Sequence, residues 1–444
     1  MSSLPINVKK YLEKYSYQDW QLEWNENKNI THAVIVPAIC EFENIPTLLT
    51  SLSQNNNKYF NETLIIFVLN NSKSANEDIK LDNQKSISLL RNIITHNTTL
   101  NNEFINTTLK SSLQIGLVDA SSEGNELPEK DAGVGLARKI GMDLALQIFN
   151  YSSISKKIIT SLDADCTVES NFISEISENF NKENLSAAIV NYAHDLFISN
   201  DNTEAIICYE VFLRYYVLGL QFANSQYAYH SIGSTISCDF ESYIKVEGMN
   251  KNKAAEDFYF LEKLTKNFEI HKIRSTIVHP SSRTSWRAPF GTGHWVNRFN
   301  LKTKNDYLLY DPESFLILKK WLEVFHSNDI SNVDAYLSEA KKINSVLYDF
   351  LVSQSFQKSF EKILNNSSSE IQLQKQKIKW FDAFKTLKLI HYLRDNGYPM
   401  INMFDALDEM LNYFDFQISH KRNKDILPDI ETQKEYLNIL RKIT

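Results

Sequence analysis

Glycine and proline are scarce in this 444-residue chain, with 11 and 9 residues respectively. Both residues commonly mark turns, so the few positions that carry them are informative. The four cysteines are scattered and form no CxxC pair, so their spacing indicates neither a zinc knuckle nor a disulfide framework. This pattern suits a reducing compartment, and we predict a cytoplasmic protein.

The chain also lacks a dominant positive charge and a long apolar run. Its net charge of −7 argues against a protein whose main task is binding nucleic acid. The first twenty residues carry charges where a signal peptide needs an apolar run. No window approaches the roughly 20 apolar residues of a membrane span. We therefore expect no nucleic-acid partner and no transmembrane segment.

Three familiar catalytic motifs are missing as well. The sequence contains no GxxxxGK[ST] P-loop, no HExxH zinc site and no GxSxG nucleophile elbow. What it does contain is 43% hydrophobic and 12% aromatic residues, which excludes a largely disordered chain. A chain of this length exceeds one ordinary core, so more than one domain is expected.

Short β-branched runs alternate with amphipathic helical patterns over the first two thirds of the chain. Buried strands are predicted at 33–37, 63–69, 113–118, 158–162 and 187–190, with a striped helix at 133–149. This alternation predicts an α/β fold with a mostly parallel sheet, whose ligands bind beyond the carboxyl ends of the strands. We predict three parts: a helical extension at 1–30, a domain built on this sheet at 31–300 and a mainly α-helical domain at 301–444.

The strongest local signal is Asp163-Ala164-Asp165, directly after the strand at 158–162. In an extended chain, residues i and i+2 point to the same side, so both carboxylates would face one spot. Such hard oxygen ligands suit Mg²⁺ or Mn²⁺ with open positions for a diphosphate. The alternative is a solvated loop, because D-x-D often arises by chance.

Glu256 and Asp257 open a predicted helix. Acids are favoured at a helix N-terminus, so one interpretation is a simple first-turn cap. In the functional interpretation, one of the two carboxylates takes a proton from an acceptor hydroxyl as a general base.

Two basic segments could contact phosphate. Gly133-Val134-Gly135 begins a G-x-G pattern, but Arg138 replaces its third glycine, so a dinucleotide-binding fingerprint fails. Arg138 could instead contact a phosphate or a base, or be an exposed arginine without a role. The segment 279–294 adds Arg283 and Arg287, which could meet phosphate. His279, after a short apolar strand, is either a further metal ligand or a structural histidine.

In this order, these segments resemble the family-2 glycosyltransferases and their relatives with the A-type glycosyltransferase fold. Residues 34–41 (VIVPAICE) look like that family's V-I-V-P-A-Y-N-E, and residues 132–141 (AGVGLARKIG) are similar to its K-G-x-x-x-A-R-N-x-G stretch. The D-x-D matches its metal motif. Residues 231–235, 246–249 and 256–257 resemble the acceptor half of the pattern, which ends in E-D. The resemblance covers roughly residues 31–300.

The resemblance implies transfer of a sugar from a UDP- or GDP-sugar donor to an acceptor hydroxyl, with a metal and with inversion. Asp257 would be the base and Glu256 its neighbour. The implied ligands of Mn²⁺ or Mg²⁺ are Asp163, Asp165 and His279. The implied donor-binding residues are Pro37, Ala38, Glu41, Asn70, Arg138, Asp163, Arg283 and Arg287.

Three other functions remain open from the sequence. A retaining transferase of the glucosyl- or mannosyl-glycerate type would share the fold, and nucleotidyl transfer would use a similar pair of carboxylates. A catalytically inactive nucleotide-binding scaffold would account for Asn70-Asn71 and Cys40, which stand where the family pattern commonly has other residues. The helical domain could seat the acceptor, bind a partner or form a homodimer.

Overall fold

The computed structural model describes residues 4–96, 108, 110–196, 202–283, 291–327, 332–416, 422–424 and 426–444. The chain forms two compact units. The sheet unit comprises the chain up to Asp195 together with Ser231–Ser282. The helical unit comprises Leu196–His230, Arg283 and the chain from Gly291 to Thr444.

The sheet unit is built on one nine-stranded sheet. Its strands are β1 (Leu22–Trp24), β2 (His32–Ala38), β3 (Thr63–Asn70), β4 (Gln114–Ala120), β5 (Ile158–Ser161), β6 (Thr167–Val168), β7 (Ala187–Tyr192), β8 (Ile236–Asp239) and β9 (Ile270–His279). Their order across the sheet is β1-β4-β3-β2-β5-β8-β7-β9-β6. The neighbours β4, β3, β2 and β5 are parallel, as is the pair β7–β9, whereas β1, β8 and β6 run antiparallel to their partners. The predicted α/β class with a mostly parallel sheet is confirmed.

The described helices are numbered along the whole chain. They are α1 (Ile6–Tyr15), α2 (Ile45–Ser53), α3 (Glu77–Ile94), α4 (Val134–Ile148), α5 (Phe172–Lys182), α6 (Thr203–Phe222), α7 (Phe240–Lys245), α8 (Glu256–Thr265), α9 (Thr292–Asn300), α10 (Pro312–His326), α11 (Val333–Ile343), α12 (Ser345–Ser353), α13 (Phe356–Asn366), α14 (Glu370–Trp380), α15 (Ala383–Asp395), α16 (Met403–Asn412) and α17 (Ile430–Ile443). A short strand pair, β10 (Leu308–Leu309) and β11 (Ile401–Asn402), accompanies the later helices.

The central strands are buried along their whole length. Every residue of β2, β3 and β5 is buried, which is why the sequence shows continuous apolar runs there rather than alternation. Helix α4 covers β2 and β3 at close range. A Cβ atom on Gly141 would lie 2.5 Å from Cγ2 of Ile35 and 2.9 Å from Cγ2 of Val68. This glycine therefore sets how closely the helix that carries Arg138 approaches the sheet.

The structure differs from the predicted domain boundaries in two places. The first thirty residues are not only helical, because β1 pairs with β4 at the edge of the sheet. The segment Leu196–His230, which includes α6, belongs to the helical unit although it lies well before residue 300. Pattern analysis missed both because β1 has only three residues and because the sequence of a helix between β7 and β8 does not show which core it joins.

The helical unit has its own aromatic core and its own buried charges. Trp321 and Phe325 of α10 are fully buried among aromatic neighbours. Arg214 of α6 donates to Oε1 of Glu210 at 2.8 Å, and neither side chain is exposed. Arg441 of α17 donates to both carboxylate oxygens of Glu210, each at 2.8 Å. Glu210 is thus paired with two cations, and its pair with Arg441 joins α6 to α17 inside the unit.

Helix α6 is long and apolar enough to cross a membrane by length and composition, contrary to the expectation that no such window exists. Two thirds of its apolar window (67%) is buried within the structure. Buried core helices of soluble proteins can have the same length and apolar content, so one helix of this kind is weak evidence for a membrane span. The buried pair Glu210–Arg214 lies on this helix.

We expect Gly141→Ala to destabilise the protein. Alanine is the better helix former by about 1 kcal/mol, but its methyl group would enter van der Waals space of Ile35 and Val68, and overpacking of this kind costs roughly 1–3 kcal/mol. Thermal unfolding followed by circular dichroism should show a lower Tm than for wild type. An unchanged or higher Tm would mean that α4 does not approach the sheet this closely.

Candidate active site

The chemistry-bearing residues of the sheet unit lie at the carboxyl ends of its parallel strands. Asp163 and Asp165 follow β5, which runs parallel to β2. Both aspartates are partly exposed, while Ala164 between them is buried. The backbone amide of Cys166 donates to the carbonyl oxygen of Asp163 at 3.2 Å, so the motif forms a turn. The assumption of an extended chain was therefore wrong, because the strand ends at Ser161.

Arg138, the fifth residue of α4, lies at the centre of this group of residues. Its guanidinium forms ion pairs with Asp163 and with Glu256, and its side chain is only 3% exposed. The interpretation of Arg138 as an exposed arginine without a role is thus wrong. Burial acts to lower the pKa of Arg138, but the nearby carboxylates of Asp163, Glu256 and Asp257 outweigh it and the pKa is raised. Arg138 is therefore a permanent cation.

Two details show how tightly the guanidinium is enclosed. A Cβ atom on Gly233 would lie 2.3 Å from the terminal nitrogens of Arg138, so only glycine leaves room for the cation. Within the part of the chain that the structure describes, Nε of Arg138 is buried without a hydrogen-bond partner. Most buried polar groups in folded proteins are hydrogen-bonded, so this nitrogen is an exception.

Glu256 and Asp257 begin α8, as the sequence predicted. The residue before them, Ala255, has a φ of 57°, and this left-handed residue turns the chain into the helix. Glu256 is buried, whereas Asp257 is partly exposed and its Oδ1 accepts a hydrogen bond from the amide of Phe258 at 2.7 Å. The two neighbours thus face different surroundings: Glu256 faces Arg138, and Asp257 remains accessible.

Burial raises the pKa of Glu256 to about 7, with Arg138 lowering it and the carboxylates of Asp257 and Asp163 raising it. The pKa of Asp257 is also raised, chiefly by burial and against the pull of Arg138. Burial raises the pKa of the Cys166 thiol too, assisted by Asp163 and Asp165. Negative charge is therefore costly here, and a cation or a proton is needed to hold the carboxylates together.

The loops before α4 and α8 pack against each other. A Cβ atom on Gly135 would lie 2.3 Å from the carbonyl oxygen of Asn252, and one on Gly133 would lie 3.0 Å from Cα of Lys253. Lys251 forms an ion pair with Asp131 at 2.8 Å. Glycine at 133 and 135 therefore permits the close approach that brings Arg138 to Glu256.

His279 lies at the same edge but has partners within the protein. It ends β9, directly across from Thr167 of β6. Its Nδ1 is 2.9 Å from the carbonyl oxygen of Ala193, and its Nε2 is 2.9 Å from Oε1 of Glu169. To bind a metal through Nε2, the histidine would have to give up Glu169. The contacts seen are those of a structural histidine.

The residues present fit a divalent metal that is shared with a substrate. Among the described residues, no three His, Cys, Asp or Glu side chains are grouped closely enough to hold a metal ion alone. Carboxylate oxygens are nevertheless the ligands that Mg²⁺ and Mn²⁺ favour, and such ions are often held by one or two carboxylates plus substrate phosphates. Asp163 and Asp165 suit that second arrangement.

The ends of β2 and β3 are joined by buried amide side chains. Asn70 donates from Nδ2 to the carbonyl oxygens of Ala38, at 3.0 Å, and of Val68, at 3.2 Å. Asn83 accepts from the amide of Cys40 at 2.9 Å and donates to the carbonyl oxygen of Asn70 at 3.1 Å. The Nδ2 hydrogens of Asn70, a predicted donor-binding residue, are thus used within the fold.

The remaining predicted donor-binding residues are placed as follows. Pro37 and Ala38 are buried in β2. Pro37 lies beyond the end of β5, so β5 has no residue there that needs a backbone N–H from position 37, and proline is tolerated. Glu41 is buried before α2 and accepts from Nδ2 of Asn44 at 2.5 Å. Arg283 is half-buried in coil and belongs to the helical unit, so the structure does not assign it to this edge. Arg287 lies outside the described residues.

Sequence analysis missed several residues of the site. Gly233 lies in the segment 231–235 that carries the resemblance. Because glycine is scarce in this chain, the importance of its close contact with Arg138 could have been inferred. Asn83 and Glu169 lie in a helix and a turn where nothing in the pattern distinguishes them. Ser234, which forms a hydrogen bond with Cys166 beside the D-x-D turn, was likewise not singled out.

Comparison with known proteins gives structural neighbours only. No protein-family model matches the chain, and no curated protein matches it. Among solved structures, TarS of S. aureus in complex with UDP-GlcNAc is 11% identical with a TM-score of 0.37, covering 73% of this chain and 92% of that one.

Two further neighbours carry a metal. The mannosyltransferase PcManGT from Pyrobaculum calidifontis, in complex with GDP-Man and Mn²⁺, is 10% identical with a TM-score of 0.35 and covers 98% of this chain and 91% of that one. Glucosyl-3-phosphoglycerate synthase from Mycobacterium tuberculosis, with Mn²⁺ and UDP, is 10% identical with a TM-score of 0.34 and covers 70% and 82%. The neighbours are glycosyltransferases, the class that the sequence resembles. At these identities and scores the likeness assigns no activity.

We expect Arg138→Met to destabilise the protein strongly. It would leave Asp163 and Glu256 without their shared cation, and removing one partner of a buried ion pair costs roughly 3–5 kcal/mol. The matched control is Arg91→Met, since Arg91 also contacts two carboxylates, Glu23 and Asp119, but is 47% exposed. For such an exposed pair about 0–1 kcal/mol is expected. Equal loss of Tm in the two variants would contradict the buried ion pairs.

Glu256 should make stability depend on pH. Because its pKa is about 7 in the folded state rather than 4.5, its contribution is complete below about pH 4.5 and is lost as the pH rises through 7. The difference corresponds to about 3 kcal/mol. Urea unfolding from pH 5 to 8 should therefore show a weaker pH dependence for Glu256→Gln than for wild type. Glu123→Gln, at an exposed position, should follow wild type. Parallel curves for wild type and Glu256→Gln would contradict the raised pKa.

Proposed function

We propose that the protein is a metal-dependent, inverting glycosyltransferase that moves a sugar from a nucleoside-diphosphate-sugar donor to an acceptor hydroxyl. A UDP- or GDP-sugar is the proposed donor. The proposal rests on the order of the sequence motifs and on what the fold does with them.

One observation carries the proposal. Arg138 forms ion pairs with both Asp163 and Glu256, which brings the arginine stretch, the D-x-D turn and the E-D dipeptide together at one edge of the sheet. These segments are far apart in the chain, and parallel sheets bind their ligands at this edge. A structural role alone would not require three separate motifs of one enzyme class to meet there.

Asp257 is the proposed general base. It stands next to the buried Glu256 but is itself partly exposed, and the amide of Phe258 fixes the direction of its carboxylate. Its raised pKa makes it a better proton acceptor than an ordinary aspartate. The acceptor hydroxyl gives its proton to Asp257, its oxygen bonds to the anomeric carbon, and the bond from that carbon to the diphosphate breaks. Attack from the face opposite the leaving group inverts the configuration.

Asp163 and Asp165 would hold Mn²⁺ or Mg²⁺ together with oxygens of the donor diphosphate. When bound, such an ion stabilises the negative charge on the departing diphosphate. Arg138 would contribute a second, fixed positive charge close to the departing diphosphate. Glu256 holds the guanidinium in place from the opposite side.

We expect one nucleoside diphosphate to stabilise the protein only in the presence of metal. A thermal-shift panel of UDP, GDP, ADP, CDP and dTDP, with and without Mn²⁺, tests this, because ligand binding to the native state raises the Tm by mass action. Asp165→Ala should lose the metal-dependent shift. No shift with any diphosphate and metal in the wild-type protein would contradict the proposed function.

We expect Asp257→Asn to lose transfer while still binding the donor. General base catalysis typically contributes about 10²–10⁴-fold to the rate, so kcat should fall by that order while the nucleotide-induced thermal shift remains. The matched control is Asp334→Asn, since Asp334 is also a first-turn acid of a helix, α11. If the two variants behave alike, Asp257 is only a helix cap. If the wild-type protein gives a product with retained anomeric configuration, the retaining mechanism is favoured instead.

A further inference from the structure

Helix α1 is attached to the helix that carries Arg138 by a buried polar network. The hydroxyl of Tyr11 donates to Oδ1 of Asp143 at 2.9 Å, and Tyr243 donates to the same oxygen at 2.7 Å. Lys139 donates to Oδ2 of Asp143 at 2.9 Å and to the hydroxyl of Tyr11 at 3.1 Å. Lys139 directly follows Arg138, so Tyr11 is bonded to the turn of α4 that holds the guanidinium.

The same helix contacts the segment that leads to the proposed base. Tyr15 donates to Oε1 of Glu247 at 2.5 Å. Gly248 has a φ of 70°, and a Cβ atom there would lie 2.0 Å from the hydroxyl oxygen of Tyr11. Glu247 also has a positive φ, 61°. Two consecutive left-handed residues therefore lie beside the two tyrosines. This conformation is unfavourable for Glu247, which is not a glycine, and must be maintained there by its surroundings.

The segment after Gly248 is in turn tied to α8. Lys263 of α8 donates to the carbonyl oxygens of Val246 and Gly248, both at 2.9 Å. Asn250 donates from Nδ2 to the carbonyl oxygen of Glu256 at 2.9 Å. A displacement of the turn at Glu247 and Gly248 would therefore be passed to the first residue of α8, which is Glu256.

We propose that Tyr11 and Tyr15 are positioning residues of the active site. Tyr11 contacts the two segments that carry the members of the Arg138–Glu256 ion pair. It is bonded to α4 through Lys139 and Asp143, and it lies against Gly248 in the segment that leads to Glu256. Tyr15 holds the second side through Glu247. Helix α1 thereby fixes the distance between α4 and the start of α8, and with it the place of Asp257. This inference rests on the proposed function as far as Asp257 is concerned.

The test uses three single Tyr→Phe variants of the full chain: Tyr11→Phe, Tyr15→Phe and, as the matched control, Tyr59→Phe. Tyr59 is half-buried like Tyr15 and also donates to a glutamate, Glu178, at 2.7 Å, but it lies elsewhere on the sheet unit. Each variant loses one hydroxyl. The first readout is amide hydrogen exchange over residues 246–257, which requires no substrate.

Exchange over this segment should become about ten-fold faster in Tyr11→Phe and Tyr15→Phe, as expected for the loss of one hydrogen bond, and should not change in Tyr59→Phe. The second readout is hydrolysis of the UDP- or GDP-sugar selected by the thermal-shift panel, with water as the acceptor. There kcat should fall by a similar factor while the donor KM stays the same. Glu247→Gln, which keeps an oxygen for Tyr15, should behave like wild type.

Unchanged exchange in both Tyr11→Phe and Tyr15→Phe would overturn the inference, as would equal changes in Tyr59→Phe. If Tyr11→Phe fails to fold, Tyr15→Phe still tests the inference. The hydrogen bond between Tyr15 and Glu247 lies at the surface, so its loss should not prevent folding. A wild-type protein that binds no nucleotide would count against the proposed function, whereas the exchange result would still decide whether α1 holds the segment. An active wild type with full kcat in both variants would count against the inference alone.

Discussion

The ion pairs of Arg138 with Asp163 and Glu256 are the constraint on which the candidate site depends. Carboxylates from two distant parts of the chain are held within one poorly solvated space, and burial raises the pKa of Glu256 and of Asp257. Without a fixed cation between them, such an arrangement would either bind protons or move apart. The surrounding glycines, the left-handed turn before α8 and the packing of α4 on the sheet all serve to bring this cation to its place.

In both compact units, buried charged side chains are paired with side chains of opposite charge. In the helical unit, Glu210 is fully buried and is matched by Arg214 and Arg441. In the sheet unit the ratio is reversed, because one arginine, Arg138, lies between the carboxylates of Asp163 and Glu256. Two carboxylates around one buried arginine, with Asp165 in the adjacent turn, favour a further cation in the sheet unit, and a divalent metal suits this role.

The general form of the sheet unit could be predicted from sequence, because buried parallel strands leave apolar β-branched runs. β2, β3 and β5 were found to within a residue or two, and α8 begins at Glu256 as predicted. The short strands β1, β6 and β8 could not be predicted, since their pairing depends on neighbours distant in the chain. Residue types identified Arg138, but only the fold could show that it is buried between carboxylates. The geometry of the D-x-D turn was mispredicted because an extended chain was assumed through Asp165, whereas β5 ends at Ser161.

The close contact at Gly135 has a consequence for how this sequence can vary. The position faces the backbone oxygen of Asn252 rather than its side chain, so what it recognises is the path of the loop and not the identity of residue 252. Substitutions at residue 252 can therefore be frequent, whereas an insertion or deletion within residues 250–253 would shift the carbonyl and release position 135 from its restriction to glycine. In related chains, loop length at this place and the residue at 135 should change together, which makes the pair a marker of whether the two helix N-termini still meet.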